Sequence, residues 1–329
     1  MLNSKRISML ASLAAAVSVF SIAAASAQDY PTRPITLIVP FSPGGSTDLI
    51  GRIVADKASE HLGQPLVFEH RPGAGTMLGL NELAMAEPDG YTIGMTTSTL
   101  ILQPLYGDAQ FNYPEELQPI AQLAYTPPML VTNAGAAWET LEDLIAFANE
   151  NPGVVKYGIS GVGNASHLGV AQLALEADAQ MDPVSYPGGS QLQVAVLGNH
   201  IPLATGSPVD YKERIRLGDI RGLVTFGPER SNDPELSHIP TALELGYNVE
   251  VTSWTGVSAP GGLPEDIAQR LTDAFGAALA DEGVQNAIAE LGSTPEYLSA
   301  SEFGERWDRD QTYFLQVVTD TGILDMFSQ

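Results

Sequence analysis

Short apolar runs that end in glycine-rich turns and lead into helical patterns constrain the fold of this chain most. The run Ile35–Val39 stops at the turn 40–45 (PFSPGG), and apolar residues then recur at helical spacing over 46–62. The run Val154–Ser160 repeats the arrangement, with the turn 161–164 (GVGN) before a second helical pattern. Strands and helices in this order predict an α/β fold with parallel sheets and crossover helices.

Later segments predict how two such sheets are connected. The extended stretches Ile120–Thr132 and Val249–Ala259 stand where the chain could leave one sheet and return to it, so we interpret them as crossover strands. Segments 264–280, 284–291 and 301–319 have helical patterns. We expect these helices to pack back on the first sheet.

The length of 329 residues predicts two domains, at ~150 residues per domain. We assign residues 28–125 and 254–329 to one discontinuous domain and residues 126–253 to the other. A hydrophobic share of 44% with only 16% charged residues predicts a globular protein rather than a disordered one.

Residues 1–27 have the pattern of a secretory signal peptide. Lys5 and Arg6 precede an apolar, alanine-rich run, and residues 25–27 (ASA) fit an A-x-A cleavage site. No later segment reaches the ~20 apolar residues that span a bilayer. We therefore expect an exported, soluble protein.

Charge and composition exclude several classes of function. A formal net charge of -24 argues against a nucleic-acid partner, because phosphate binding needs clustered Lys and Arg. The sequence has no cysteine, which excludes a disulfide scaffold and a cysteine nucleophile. The five histidines lack metal-ligand spacing, so we predict neither a metal site nor a cofactor.

A helix that starts after a glycine turn is suited to bind an anion, because its first N–H groups are unpaired and its dipole is positive there. The polar side chains at the two turns are Ser42, Ser46, Thr47, Ser160, Asn164 and Ser166. If the two starts face one cleft, an anionic ligand would bridge them. Ser46, Thr47, Asn164 and Ser166 also fit ordinary N-caps. Asp48 could orient water or favour the helix dipole, and His167 could donate to a ligand or be structural.

Enzyme motifs are incomplete in this sequence. Residues 158–162 (GISGV) fail the last position of the G-x-S-x-G nucleophile turn. Residues 161–166 (GVGNAS) resemble G-x-G-x-x-G but end in Ser, without the rest of a dinucleotide-binding pattern. We therefore predict no catalytic residue.

An ordered set of motifs is similar to the Bug/TctC-type extracytoplasmic solute receptors of tripartite tricarboxylate transporters, from about residue 30 to the C-terminus. The main motifs are 39–48 (VPFSPGGSTD), 69–75 (EHRPGAG), 88–92 (PDGYT), 157–168, 186–189, 221–223, 239–241 and 254–256. Each motif alone is weak, whereas their order is specific.

The resemblance implies a type II periplasmic-binding-protein fold, with two α/β domains joined by two crossover strands. It implies a periplasmic, monomeric receptor that captures a small organic carboxylate and delivers it to membrane permease subunits without catalysis. Carried over by position, the predicted ligand-binding residues are Phe41, Ser42, Gly45, Ser46, Thr47, Asp48, Thr97, Ser98, Ser160, Gly163, Asn164, Ser166, His167 and Thr205. Trp254 is a weaker candidate.

The sequence departs from the family pattern at several positions. His70 stands where Asn is usual, and Pro202 and Gly206 lie in a region where the family often has Asp. Thr205 and Ser207 could line that wall of the cleft, which we expect to set ligand specificity. Two alternatives stay open: a receptor that reports its ligand to a signalling partner, and an exported enzyme acting on an organic acid.

Acidic residues are unevenly placed along the chain. They are missing from 91–107, 157–175 and 183–209, which carry most of the predicted ligand loops. We therefore expect the negative charge to lie on the outer surface, around a cleft that is clear of carboxylates.

Overall fold

The computed structural model describes residues 30–106, 109–186 and 188–327, so the predicted signal peptide lies outside the described residues. The described residues up to 126 contain β1 (Ile35–Val39), α1 (Ser46–Leu62), β2 (Leu66–His70), α2 (Met77–Ala84), β3 (Thr92–Thr97), α3 (Thr99–Leu105), α4 (Tyr113–Glu116) and β4 (Leu117–Thr126). Those from 129 to 225 contain β5 (Met129–Asn133), α5 (Leu141–Glu150), β6 (Val155–Ile159), α6 (Ala165–Glu176), β7 (Met181–Ser185), α7 (Gly189–Leu197), β8 (Leu203–Gly206), α8 (Pro208–Arg216) and β9 (Ile220–Thr225). Those from 253 to 320 contain β10 (Ser253–Pro260), α9 (Glu265–Leu279), α10 (Glu282–Glu290), β11 (Thr294–Leu298) and α11 (Ala300–Asp320). Two short 3₁₀ helices cover Ala74–Thr76 and Ile323–Phe327.

Two mixed sheets form the cores of two α/β domains. The first has the order β11-β4-β10-β3-β1-β2, and the second has the order β7-β6-β8-β5-β9. In the first sheet β1 is parallel to β2 and β3, whereas β10 is antiparallel to β3 and β4. In the second sheet β6 is parallel to β7 and β8, whereas β5 is antiparallel to β8 and β9. The predicted strand–turn–helix units are thus the parallel parts of both sheets.

The chain passes between the sheets at 127–128 and again over 226–252. The predicted strand over 120–132 is wrong in one respect: it is split into β4 and β5 at Pro127 and Pro128, because proline has no N–H for a sheet. The second predicted crossover strand begins only at Ser253. The proposed domain boundaries at 125/126 and 253/254 stay a prediction.

The C-terminal helices pack as the sequence predicts. Helix α9 contacts α1 and β4, and α11 contacts β4 and α3 on the other side of the first sheet. On α11, Phe303, Trp307 and Phe314 are buried in a core cluster that also holds residues of the second domain. Helix α11 therefore packs against residues of both domains.

No helix among the described residues is long and apolar enough to cross a membrane.

Candidate functional site

A cavity of about 310 Å³ lies between the two domains. Its wall on the side of the first sheet consists of Phe41, Ser46, Thr47, Thr97, Ser98, Thr99, Thr126, Ser253 and Thr255. Its wall from the second domain consists of Pro128, Ser160, Asn164, Ala165, Ser166, Gly206, Ser207, Val209 and Asp210. Hydroxyl groups dominate this lining, and the described residues that form it include no Lys, Arg or His.

The cavity lies where the fold places helix N-termini. Strands β1, β3, β6 and β8 end at it, and the carboxyl ends of parallel strands are where α/β sheets bind ligands. Three helices of eight or more residues begin at its walls: α1, α6 and α8. The two helix starts that the sequence singles out therefore face one cavity from different domains.

The start of α1 is not capped by a side chain. Gly45 is the N-cap residue, with extended backbone and no side chain to accept a helix N–H. Ser46 and Thr47 are the first two helical residues, and their hydroxyls form no hydrogen bond within the described part of the chain. The N-cap interpretation of these two residues is therefore wrong. Their hydroxyls and the first-turn N–H groups point to the chemistry of an anion site.

Asp48 stabilises the glycine loop that precedes α1. Its carboxylate accepts a hydrogen bond from the Gly44 N–H at 2.8 Å, lies 2.8 Å from Nε2 of His70 and lies 3.2 Å from Nε of Arg52. Burial acts to raise the pKa of Asp48, but the hydrogen bonds from Gly44, His70 and Arg52 outweigh it and lower the pKa. Asp48 is thus an ionised carboxylate that shapes the glycine loop, and it does not line the cavity.

The start of α6 is capped by Asn164, as one of the two sequence interpretations predicts. Its Oδ1 accepts the His167 N–H at 2.9 Å, which assigns the amide orientation. The other amide atom, Nδ2, forms no hydrogen bond among the described residues. Asn164 also lines the cavity, so one side chain can cap a helix and present N–H donors to a ligand.

His167 is buried behind the same loop. Its Nδ1 accepts the Gly163 N–H at 3.0 Å, and its ring lies 6.0 Å from the ring of Tyr157. Burial lowers the pKa of His167 to about 4, so the imidazole is neutral at physiological pH. His167 holds the loop and does not line the cavity.

The loop after β3 completes the wall from the first domain. Thr97 and Thr99 share a hydroxyl hydrogen bond of 2.8 Å, and Ser98 lies 3.4 Å from the hydroxyl of Ser253 on β10. Thr126 pairs with Ser253 across β4 and β10. The strands that lead toward the second domain therefore also contribute side chains to the cavity wall.

This arrangement can be compared with known proteins. The family model of the tripartite tricarboxylate transporter family receptor, TctC, matches residues 50–311. The chain belongs to the TctC family. Protein BugT of Bordetella pertussis is 34% identical over 274 residues, which cover 82% of this chain and 83% of BugT.

Two solved structures share the fold of this TctC-family receptor. R. palustris Rpa4515 with adipate has a TM-score of 0.81 and 27% identity, covering 89% of this chain and 99% of that chain. A structure described as a periplasmic transporter has a TM-score of 0.80 and 31% identity, again covering 89% and 99%. These similarities confirm the predicted family and its two-domain periplasmic-binding-protein fold.

The cavity brings together eight of the predicted site residues. These are Phe41, Ser46, Thr47, Thr97, Ser98, Ser160, Asn164 and Ser166. The predicted residues that do not line it are Ser42, Gly45, Asp48, Gly163, His167 and Thr205. A ligand-binding role stays a prediction for every member of both sets.

Thr205 and Trp254 point away from the cavity. The buried hydroxyl of Thr205 lies 3.0 Å from the carbonyl oxygen of Met129 and 3.2 Å from that of Ser166, and its one proton is shared between them. Trp254 is fully buried, and its Nε1 donates to Asp310 at 2.8 Å. Because side chains alternate along a strand, the neighbours of Trp254 face the cavity instead.

Sequence reasoning missed the polar cavity residues Thr126, Ser253, Thr255 and Asp210. The first three lie on β4 and β10, and hydroxyl residues on the predicted crossover strands are the signal that could have found them. Asp210 follows directly on the acid-free stretch 183–209. The expectation of a cleft clear of carboxylates is therefore wrong at this position.

Proposed function

We propose that this TctC-family receptor binds a small organic carboxylate in the cavity between its domains. The observation that carries the proposal is that α1 and α6, from different domains, begin at opposite walls of one hydroxyl-lined cavity. Helix N-termini and hydroxyl donors can hold a carboxylate without a cationic side chain. The adipate in the similar R. palustris structure supports the same ligand class.

We propose that the receptor is exported to the periplasm with residues 1–27 as its signal peptide. There it acts as a monomer that delivers the carboxylate to permease subunits of a tripartite tricarboxylate-type transporter. It carries out no catalysis in this proposal. The family match supports the transport role.

The domains form contacts that would stabilise a state closed around the ligand. The Tyr106 hydroxyl donates to the Gly163 carbonyl at 2.5 Å, on the loop that leads into α6. On the far side, Nζ of Lys212 donates to the carbonyl of Glu290 at 3.2 Å. A ligand that touches both walls would favour this closed arrangement, and the closed surface would be the one that the permease recognises.

Calorimetric titration tests the proposed ligand class. The purified protein is titrated with dicarboxylates, tricarboxylates, aromatic acids, hydroxy acids and amino acids, and ligand retained from the host is identified by mass spectrometry. We expect saturable binding of at least one acid without turnover. A folded protein that binds none of these acids would contradict the proposal, and turnover of the bound acid would replace it with an enzymatic function.

A further inference from the structure

One charged side chain stands in the otherwise neutral described lining of the cavity. Asp210 lies in the first turn of α8 and faces the cavity beside Ser207 and Gly206. An acidic side chain in a cavity that is proposed to bind a ligand carboxylate requires a physical explanation. It makes the wall at the start of α8 chemically different from the hydroxyl-lined walls around it.

Asp210 has room in this wall because its neighbours are small. A Cβ on Gly189 would come 3.3 Å from Oδ1 of Asp210, and a Cβ on Gly206 would come 3.1 Å from Oδ2. The Ser207 N–H donates to Oδ2 at 3.1 Å, and Oδ1 forms no hydrogen bond among the described residues.

Ser207 adds a second polar group, whose Oγ faces the Asp210 N–H in a capping box. That Oγ is buried and forms no hydrogen bond of good geometry within the described part of the chain. A hydroxyl held this weakly at the cavity wall is available to a polar ligand group. Oδ1 of Asp210 and Oγ of Ser207 thus form an acceptor-rich end.

The electrostatics of this end oppose a second anion. Burial raises the pKa of Asp210, and the Ser207 N–H only partly offsets this, so negative charge is poorly solvated here. Asp210 stands in the first turn of α8, so its own carboxylate already takes the favourable field of that helix start. No described Lys, Arg or His forms an ion pair with Asp210.

We propose that Asp210 and Ser207 select a ligand with a carboxylate at one end and an N–H or O–H donor group at the other. This inference rests on the proposed function and names its ligand class. The ligand carboxylate lies toward the starts of α1 and α6, and its hydroxyl, amide or ammonium group lies toward α8. A second carboxylate at the α8 end faces Asp210 at close range, and like charges in an interface cost several kcal/mol.

A purely structural role of Asp210 makes a different prediction. Asp143 occupies the same position at the start of α5, where its Oδ2 accepts the Thr140 N–H at 3.1 Å far from the cavity. Asp143→Asn is therefore the matched control for Asp210→Asn. Both substitutions retain an oxygen that can accept the N–H of the N-cap residue.

Calorimetric titration with length-matched pairs tests the inference. The pairs are succinate against γ-hydroxybutyrate and adipate against ε-hydroxycaproate, each titrated into the wild type, Asp210→Asn, Asp143→Asn and Ser207→Ala. We expect the wild type to bind the hydroxy acid of at least one pair roughly tenfold more tightly than its diacid. Asp210→Asn reduces or reverses that ratio, Ser207→Ala weakens the hydroxy acid, and Asp143→Asn leaves the ratio unchanged.

Three results would overturn the inference. They are a wild type that prefers the diacid, a ratio that Asp210→Asn does not alter, and a wild type that binds neither pair. If a variant fails to fold, the ratio of the wild-type affinities for the hydroxy acid and its diacid still tests the inference. The proposed function would be contradicted only if the protein also bound none of the acids in the broad carboxylate panel. Failure of the inference and failure of the proposed function are therefore distinguishable.

Discussion

Ser46 and Asn164 follow glycine turns in similar sequence contexts, but they form different contacts. The Ser46 hydroxyl has no partner among the described residues, whereas Asn164 caps α6 through the His167 N–H. A capping hydrogen bond contributes about 1 kcal/mol to stability, and a free hydroxyl contributes little. A substitution of Ser46 should therefore change the ligand affinity without much change in the free energy of unfolding.

We predict that Ser46→Ala weakens carboxylate binding by about three- to tenfold, the cost of one hydrogen bond. Its free energy of unfolding should stay within about 0.5 kcal/mol of the wild type. Thr140→Ala is the control, because Thr140 caps α5 at an exposed site and should lose about 1 kcal/mol with unchanged affinity. Calorimetry and urea unfolding measure both quantities. If Ser46→Ala lost as much stability as Thr140→Ala and kept the wild-type affinity, the result would contradict a ligand-binding role of Ser46.

We predict that the neutral His167 makes the fold sensitive to acid. Its pKa falls from the ordinary 6.5 to about 4 on folding, so the unfolded chain binds more protons between these values. Stability should be fully present above about pH 6.5 and decline as the pH falls toward 4. Urea unfolding across this range should show a flatter profile for His167→Asn, whose amide oxygen can still accept the Gly163 N–H.

The exposed His61 of α1 provides the control, and His61→Asn should keep the wild-type profile. A His167→Asn profile as steep as that of the wild type would show that the buried imidazole is not the source of the acid sensitivity.

Eight of the eighteen described residues that line the cavity could be predicted as site residues, mostly because they sit in short motifs tied to a local structure. Phe41 to Thr47 and Ser160 to Ser166 surround glycine turns before helices. Asp210 could not be predicted in this way, because its place in the cavity depends on the packing of α8 against α7. The same holds for His70, whose contact with Asp48 joins two elements far apart in sequence.

At the scale of elements, the contact between α3 and the loop before α6 joins the two domains. Tyr106 follows α3 and donates to Gly163, whose φ of 73° places it in the left-handed region. A Cβ at Gly163 would come 2.3 Å from the Tyr106 ring, so the ring packs directly on this glycine.

We predict that Tyr106→Phe weakens ligand binding by about two- to tenfold, mainly through a faster dissociation rate. The closed arrangement loses one hydrogen bond between domains while the ring packing remains. Tyr113→Phe is the matched control, because the Tyr113 hydroxyl donates to Asn81 within the first domain at 2.7 Å. Stopped-flow displacement measures the rates. Identical rates for both variants would contradict a role of Tyr106 in closure.

The elements that the sequence did not predict have ambiguous local signals. In α3 the apolar run 100–102 (LIL) is too short for periodicity to separate a strand from a helix, and Pro104 stands inside the helix. β11 contains Pro295 and is an edge strand of the first sheet, where proline is tolerated. Its position depends on the packing of α9 and α10 around it rather than on its own pattern.

At the scale of the whole molecule, a chain of net charge -24 has to attract an anion. Screening limits surface repulsion beyond ~8 Å at physiological salt, so groups close to the ligand decide binding. The described lining of the cavity carries no cation, and its only acid is Asp210. The central claim is therefore that the helix starts and hydroxyls of the cavity hold the carboxylate.

Titration of Ser46→Asp with the tightest-binding carboxylate of the panel tests this claim most directly. An aspartate at the first position of α1 stabilises the helix dipole by about 0.3 to 1 kcal/mol but places a negative charge at the site. With Ser46→Asn as the neutral control, we predict that Ser46→Asp is at least as stable in urea unfolding and loses measurable binding. Binding by Ser46→Asp at wild-type affinity would contradict the account.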